Sequence, residues 1–488
     1  MPKKPEDKPD KQIKRWRCVV CGYEVDGPEP PSKCPVCAAT SDKFTFVEVD
    51  VSSGAGPAPE ESSGPVAGGV AAEQSGTAPD LGEYLSRWER QPEVGEDKFA
   101  AISALAKGAG SRVSAMGIRK VFPGMESILF RAAQCARTPL DEAAAVSLTT
   151  VIGPAAKKPL VLDLPFYVSH MSFGALSREA KIALAMGATE SGTATCSGEG
   201  GMLPEEREHA SRYIYEIGTA PFTRNEEAIK KADAVEIKFG QAAKPGMGGY
   251  LPAGKVTPEI AALRGIKQGE SFSAPSRQGD INTPEDLRRF VEELRSHTGG
   301  KPVGVKFAAG HIEADLEFVI AAEPDFITID CRGGATGAAP DFVKDNVCLP
   351  PLFAIRHARR FLDGVGSSVT LCVTGGLRDS TDIAKALALG ADAVALATAS
   401  LIAIGCQQYR ICETGRCPVG ITTQDPELRS RLSIPASKKR FVNFARATAD
   451  ELRVLSRING RSDIHALDMS DVFTISGEVA DHTDIEFA

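Results

Sequence analysis

The spacing of apolar residues changes character near residue 160. Beyond it, short β-branched or apolar runs recur: LVLDLPFYVSHM (160–171), AVEIKFG (234–240), VGVKFA (303–308), FITID (326–330), VTLCVTGG (369–376) and AVALAT (393–398). Amphipathic stretches lie between them, such as TPEDLRRFVEELRSH (283–297) and RDSTDIAKALALG (378–390). In the former, Thr283 suits an N-cap, and Glu285 and Asp286 place negative charge in the first turn. Strands alternating with helices predict a parallel sheet. Polar residues and glycines directly after the strands, over a span of about 260 residues, favour a TIM (β/α)8 barrel over an open sheet. The α/β barrel is predicted over 161–430. Residues 83–160 are predicted to be a helical lead-in, from the periodic apolar positions of LGEYLSRWERQ and MESILFRAAQCA. Residues 431–488 read as a C-terminal helical tail.

The chain before this differs in kind. Residues 1–12 form a charged tail, and 13–49 a compact unit bearing cysteines and aromatics. Residues 50–82 are rich in Gly, Pro, Ser and Ala. That composition cannot bury enough apolar surface to offset chain entropy, so it predicts a flexible linker with an r.m.s. reach of roughly 30 Å.

Charge and composition narrow the class. Apolar residues are 42%, charged residues 25%, and the formal net charge is −8. An acidic chain with no long basic block is a poor binder of nucleic acid or anionic membrane. The charged amino terminus lacks the apolar core of a signal peptide, and no apolar run is long enough to span a bilayer. A cytoplasmic protein is expected, and an oligomer.

There are twelve cysteines, seven of them in two tight groups. Disulfides are rare in the cytosol, so grouped cysteines point to metal. Cys18, Cys21, Cys34 and Cys37 form two C-x2-C knuckles separated by twelve residues. Such spacing brings four thiolates to one tetrahedral centre, and zinc and iron both use it. Cys406, Cys412 and Cys417 are spaced C-x5-C-x4-C, three ligands rather than four.

A second chemical signal lies in VTGGLR (373–378), where a strand ends in Gly375 and Gly376, followed by a helix and a strand ending in Ala397 and Thr398. In TIM barrels the loops after the last two strands form a phosphate site, because small residues let backbone N–H groups approach an anion. ALGADAVALAT (388–398) resembles the final strand of flavin-binding barrels, and that resemblance implies FMN as the cofactor.

Two resemblances follow. With Trp16, Tyr23, Phe44 and Phe46 as aromatic neighbours, CGY and CPVC resemble the rubredoxin-like domain of rubrerythrin-type proteins, which binds one iron. From about 160 to 426 the chain resembles the FMN-binding synthase domain of glutamate synthase, in its archaeal-type form lacking the glutaminase domain. The pieces that carry this are MSFGALS (171–177), SGEGG (197–201), EIKFGQAAKPGMGGYLP (236–252), VGVKF (303–307), DCRGGATGAAP (330–340), VTGGLR (373–378) and GCQQYRICETGRCPVGITTQD (405–425).

The resemblance implies roles. Met171, Ser172, Phe173 and Gly174 would bring backbone to the flavin ring, with Lys238 and Gln241 near it. Gly333, Gly334, Thr336 and Gly337 would line the ring or substrate. Gly375, Gly376, Ala397 and Thr398 would hold the phosphate. Glu199, Lys306 and Gln241 are the expected catalytic residues, Glu199 and Lys306 binding the substrate and Glu199 offering a proton. The three late cysteines would hold a 3Fe-4S cluster in the segment 405–420, with a four-iron cluster the alternative. Electrons would pass from the rubredoxin-like iron (zinc is the alternative) to the cluster, to FMN and then to 2-iminoglutarate, made from 2-oxoglutarate and ammonia, to give glutamate.

Departures from the family keep other readings open. No glutaminase segment is present, so ammonia would come from a separate subunit or from solution, and electrons from a donor protein or reductase subunit. After Lys306 the chain reads AAGHIEAD, where His311 either meets a substrate carboxylate or caps the next helix. That loop motivates an alternative, an N-alkyl amino-acid synthase or dehydrogenase. A non-catalytic electron-transfer subunit is the third reading. If the four early cysteines hold iron, the isolated 13–49 unit will show the visible absorption of an iron–thiolate centre; a colourless unit carrying zinc contradicts this.

Overall fold

The protein is described here by a computed structural model. It describes residues 14–18, 24–27, 29–33, 40–47, 102, 105, 106, 108, 111, 113, 115, 117–334 and 336–488. The expected linker, Cys21, Cys34, Cys37 and the segment 83–101 lie outside the described residues.

Three strands near the amino terminus, β1 (Lys14–Cys18), β2 (Glu24–Gly27) and β3 (Phe44–Val47), form an antiparallel sheet in the order β2-β1-β3. Trp16 lies opposite Phe46, their rings edge to face at 6.0 Å, which supplies the packing that so small a sheet needs. Cys18 pairs with Phe44, and both are buried.

The lead-in differs from the helical expectation. Met125–Ser127 is a single 3-10 turn, and β4 (Ile128–Phe130) follows as a strand paired antiparallel with β17 (Val472–Thr474) near the carboxyl terminus. Met125 and Ile128 are buried, a spacing that suits a helix and a turn-plus-strand equally; the distant partner strand decides. Strands β5 (Thr150–Ile152) and β6 (Leu160–Leu162) make an antiparallel pair.

The barrel is closed and fully parallel. Its eight strands are β7 (Phe166–Val168), β8 (Thr195–Cys196), β9 (Tyr213–Ile217), β10 (Ala234–Lys238), β13 (Val303–Ala308), β14 (Phe326–Asp330), β15 (Thr370–Thr374) and β16 (Ala393–Leu396). A two-stranded excursion, β11 (Tyr250–Leu251) and β12 (Phe272–Ser273), interrupts the run between β10 and β13. One end of the interior is filled by Tyr167, Ile214, Ala234, Phe326, Cys372 and Ala393, in one apolar cluster with Ile152, Leu160 and Leu162 of β5 and β6. The β5–β6 pair thus plugs the barrel floor and leaves the opposite, C-terminal mouth for chemistry.

Local signals place the surrounding helices. Thr283 and Asp286 make the full capping box on the Pro284–Thr298 helix, which ends at Gly299 in the left-handed region. Asp379 caps the Ser380–Ala388 helix. The long Ile434–Ile458 helix packs on Arg178–Glu190, where Gly187 lets Phe441 approach so closely that a Cβ there would lie 2.8 Å from its ring. Among the described residues, no helix is long and apolar enough to cross a membrane.

Gly304 of β13 faces the Phe326 ring of its neighbour, and a Cβ there would lie 2.3 Å from that ring. Gly304→Ala is therefore expected to destabilise the fold by about 1–3 kcal/mol through overpacking. Gly364→Ala, at a helix end with open space around it, is expected to be near neutral. Urea unfolding midpoints of the two variants check this.

Candidate active site

Parallel barrel strands are buried on both faces, so a charged residue inside one must find its partner within the barrel. Here several do. Lys306 of β13 lies beside Lys238 of β10 in register, and each is neutralised across the mouth. Lys306 Nζ is 2.9 Å from Glu216 Oε2 of β9. Lys238 Nζ donates to Glu199 Oε2 at 2.7 Å and to Gln241 Oε1 at 2.8 Å, and stands 3.5 Å from Glu216 Oε1. The order Glu199, Lys238, Glu216, Lys306 alternates in sign. Beside it, His170 Nε2 stands 2.5 Å from Glu236, which also accepts the Thr328 hydroxyl.

This ladder controls protonation. Burial alone would raise the Glu216 carboxyl, but Lys238, Lys306 and His170 outweigh it and hold Glu216 well below the usual carboxylate range. Burial would likewise lower the two ammonium groups. Glu216 and its acidic neighbours keep Lys306 above its ordinary value, and Glu199 and Glu216 do the same for Lys238. Lys244, without so close a carboxylate, is lowered by burial to about 8. His170, Glu216 and Glu236 bring donor atoms within 4.8 Å of one another, as a metal would require, but the Lys306 ammonium already supplies the cation there.

Above the ladder is a cavity of about 160 Å³. Met171, Ser172, Glu199, Lys238, Gln241, Thr336, Gly337, Ala397 and Thr398 lie on its wall, together with His170, Glu216, Tyr250 and Lys255. Glycines let the loops meet. A Cβ on Gly198 would lie 2.5 Å from the Ser172 nitrogen, and one on Gly249 2.6 Å from Glu199 Oε1, so the Glu199 carboxylate is held in a slot that no larger residue would leave open. Lys181, buried, donates to the carbonyls of Met171, Cys196 and Ser197 at 2.6, 2.9 and 3.1 Å, tying the two loops together. Its counter-ion is Glu206, whose carboxyl burial pushes up to about 7 against the pull of Lys181 and Tyr213.

Other expected residues sit behind the wall. Phe173 is fully buried against Leu251 and Ile260. Gly174 adopts a positive φ and packs on Arg264 and Leu251. Gly333 and Gly376 meet backbone to backbone, and a Cβ on Gly375 would lie 2.1 Å from the Cys331 carbonyl, so these glycines join the loops after β14 and β15. Lys306 lies one layer below the cavity, with Glu216 between. His311 is exposed and heads the Ile312–Ile320 helix without a side-chain cap bond.

Sequence reasoning passes over two residues. Glu216 is a lone acid in the apolar strand YIYEI, the same signal that draws attention to Lys306. Arg264, in the last turn of the Pro258–Arg264 helix, reads from sequence as a helix-end cation. It is buried instead, donates to the Phe173 carbonyl, and lines a side pocket of about 20 Å³ with Glu199, Ser172 and Tyr250. Its Nε is buried and has no hydrogen-bond partner among the described residues. Burial lowers the guanidinium to about 10, with Glu199 pulling the other way, so it stays charged at neutral pH.

The cysteine segment follows the Thr398–Ala403 helix. Cys406, Cys412 and Cys417 line one small cavity, and Cys412 also lines the main one. Gln408 and Arg410 have positive φ, which curls the loop.

A family model described as a conserved region in glutamate synthase matches residues 102–461. The chain belongs to the glutamate synthase family. A second family model, the rubredoxin-like domain of rubrerythrin, matches residues 16–45. Among relatives of this glutamate synthase family member, a glutamate synthase large subunit-like protein of Rhizobium meliloti (strain 1021) is 37% identical over 395 residues, 77% of this chain and 88% of the relative. An archaeal glutamate synthase (NADPH) of Methanocaldococcus jannaschii is 40% identical over 324 residues, 66% of this chain and 63% of the relative. A solved (S)-mandelate dehydrogenase chimera aligns at 16% identity and a TM-score of 0.48, covering 72% of this chain and 88% of that one.

Lys306→Met would leave the buried Glu216 with fewer counter-charges and is expected to cost about 3 kcal/mol, while Glu216→Gln in the same chain should restore part of it. Glu216 is depressed, so its contribution is present above its unfolded value of 4.5 and lost as pH falls through the folded one. Lys306 is raised, so its contribution is present below 10.5 and lost as pH rises through the folded value. The coupling from a double-mutant cycle in urea should therefore be flat between those limits; a coupling that vanishes at neutral pH contradicts the pairing.

Proposed function

We propose that this chain is a glutamate synthase-type oxidoreductase that makes glutamate from 2-oxoglutarate and ammonia. In this reading FMN occupies the cavity at the barrel mouth, a 3Fe-4S cluster sits on Cys406, Cys412 and Cys417, and iron on Cys18, Cys21, Cys34 and Cys37. The observation that carries the substrate class is the Arg264 guanidinium, buried beside Glu199 with an unpartnered Nε. A buried arginine with an unused Nε donor beside the cavity suits a carboxylate, which it would hold by a charge-assisted hydrogen bond.

The donor set fits the flavin. Met171 and Ser172 offer a backbone wall, Lys238 and Gln241 bring polar groups to it, and the small residues Ala397 and Thr398 on the same wall would receive the phosphate. FMN, when bound, supplies the hydride that reduces the imine made from the oxo acid and ammonia. The protein's part is to hold the substrate and manage a proton. Arg264 holds a carboxylate. Lys238, itself bonded to Gln241, orients Glu199 and, against burial, holds its carboxyl below the ordinary value, so Glu199 is offered to the protonated imine as a carboxylate that pairs with the N–H. Lys306 keeps Glu216 charged and so fixes Lys238 from below. Electrons come from a donor protein or reductase subunit, and ammonia from solution or a separate glutaminase, in the cytoplasm.

Losing a charge-assisted hydrogen bond costs about 1.5–3 kcal/mol, roughly 10- to 100-fold in an equilibrium. Arg264→Gln is expected to raise KM for 2-oxoglutarate by about that factor with kcat less affected. An unchanged KM would remove the carboxylate role. With 2-oxoglutarate and a chemical reductant, ammonia is expected to yield glutamate; turnover with methylamine alone, giving the N-methyl product, would favour the N-alkyl synthase reading.

A further inference from the structure

Lys255 is wedged between the main cavity and the cysteine loop. It closes the short 3-10 turn Ala253–Lys255, just before the helix that carries Arg264. Its side chain is only 6% exposed. The ammonium donates to the Cys412 carbonyl at 2.6 Å. Gly415, with φ +71°, lies over the lysine stem, and a Cβ there would come within 3.3 Å of Lys255 Cε. Lys255 and Cys412 share the wall of the main cavity, while Cys412 also faces the cavity of the three cysteines.

A buried ammonium is costly unless negative charge lies near it. Burial lowers the Lys255 ammonium from its ordinary value, and Cys412, Cys417 and Glu413 pull the other way. Two of these are expected cluster ligands. Adding an electron to a thiolate-bound cluster adds negative charge, and a fixed positive charge beside it stabilises the reduced form. Because the lysine stem is packed and its head is bonded to the loop itself, the charge cannot swing away to solvent.

We propose that Lys255 raises the reduction potential of the cluster on Cys406, Cys412 and Cys417, placing one fixed positive charge on the side that faces the flavin cavity. The inference rests on the cluster reading above. Its role is positioning and electrostatic, with no bond to the substrate.

The test is a redox titration of the full-length, cofactor-loaded chain followed by the electron-spin-resonance signal of the oxidised cluster. Lys255→Gln keeps a hydrogen-bond donor and removes the charge; Lys255→Arg keeps both. The Gln variant is expected to shift the oxidised-to-reduced ratio at a fixed potential at least tenfold toward oxidised, which is about 59 mV for one electron. The Arg variant should stay within about threefold of wild type. Lys255→Met serves as the second neutral variant if the Gln protein fails to load iron. A neutral variant with wild-type iron and flavin content and an unshifted ratio overturns the inference. So does an Arg variant that shifts as far as Gln, which would assign the effect to packing. A wild-type chain with no cluster signal would instead remove the cluster reading on which the inference stands.

Discussion

The ion pair between Lys306 and Glu216 is the constraint on which the rest of the site depends. Two charges placed inside a barrel whose strands are otherwise apolar cost several kcal/mol each unless they meet. They meet here at 2.9 Å, and Glu216 reaches on to Lys238, which in turn holds Glu199 and Gln241. The groups on the cavity wall therefore inherit their geometry from Glu216 among them and from Lys306 one layer below. Without Glu216, two lysines in register on adjacent strands would repel one another across the mouth.

The loops make this order usable. Lys181 ties the backbone after β7 to the backbone after β8, so the wall at Met171 and the carboxylate at Glu199 move as one piece. Gln424, just past the cysteine segment, donates to the carbonyls of Gly174 and Leu176 and so joins the same loop to the cysteine region. Lys255 and Cys412 then form a common wall between cavity and cysteines. Long side chains, Lys181, Gln424 and Lys255, make these ties by bonding backbone carbonyls, so the cavity and the cysteine loop share one wall.

Much of this is legible in the amino-acid sequence. The alternation of strand and helix announces the barrel, because both faces of a parallel strand are apolar and the intervening helices are amphipathic. Glu199, Lys238 and Gln241 stand out as polar residues at the end of apolar strands or shortly after them. Depth does not show. Whether a strand residue reaches the cavity or the layer beneath depends on register between strands far apart in sequence, which is why Lys306 reads as a substrate contact and Glu216 passes unnoticed. Arg264 is invisible because a terminal arginine on a short helix has an ordinary explanation that only burial removes. The stretch 125–136 reads as helical because Met125 and Ile128 fit two periods, and its partner β17 lies more than three hundred residues away. The glycines at 333, 375 and 376 read as places of close approach to a ligand; what approaches them among the described residues is neighbouring backbone.

Reduction of an imine built from a dicarboxylic oxo acid is the activity proposed for this arrangement. The direct measurement is anaerobic reoxidation of the pre-reduced, cofactor-loaded chain, followed at the flavin absorption band. Rapid recovery of the oxidised flavin only when 2-oxoglutarate and ammonium are both present is the expected result. Recovery with neither required, or none with both present and the cofactors intact, would contradict it.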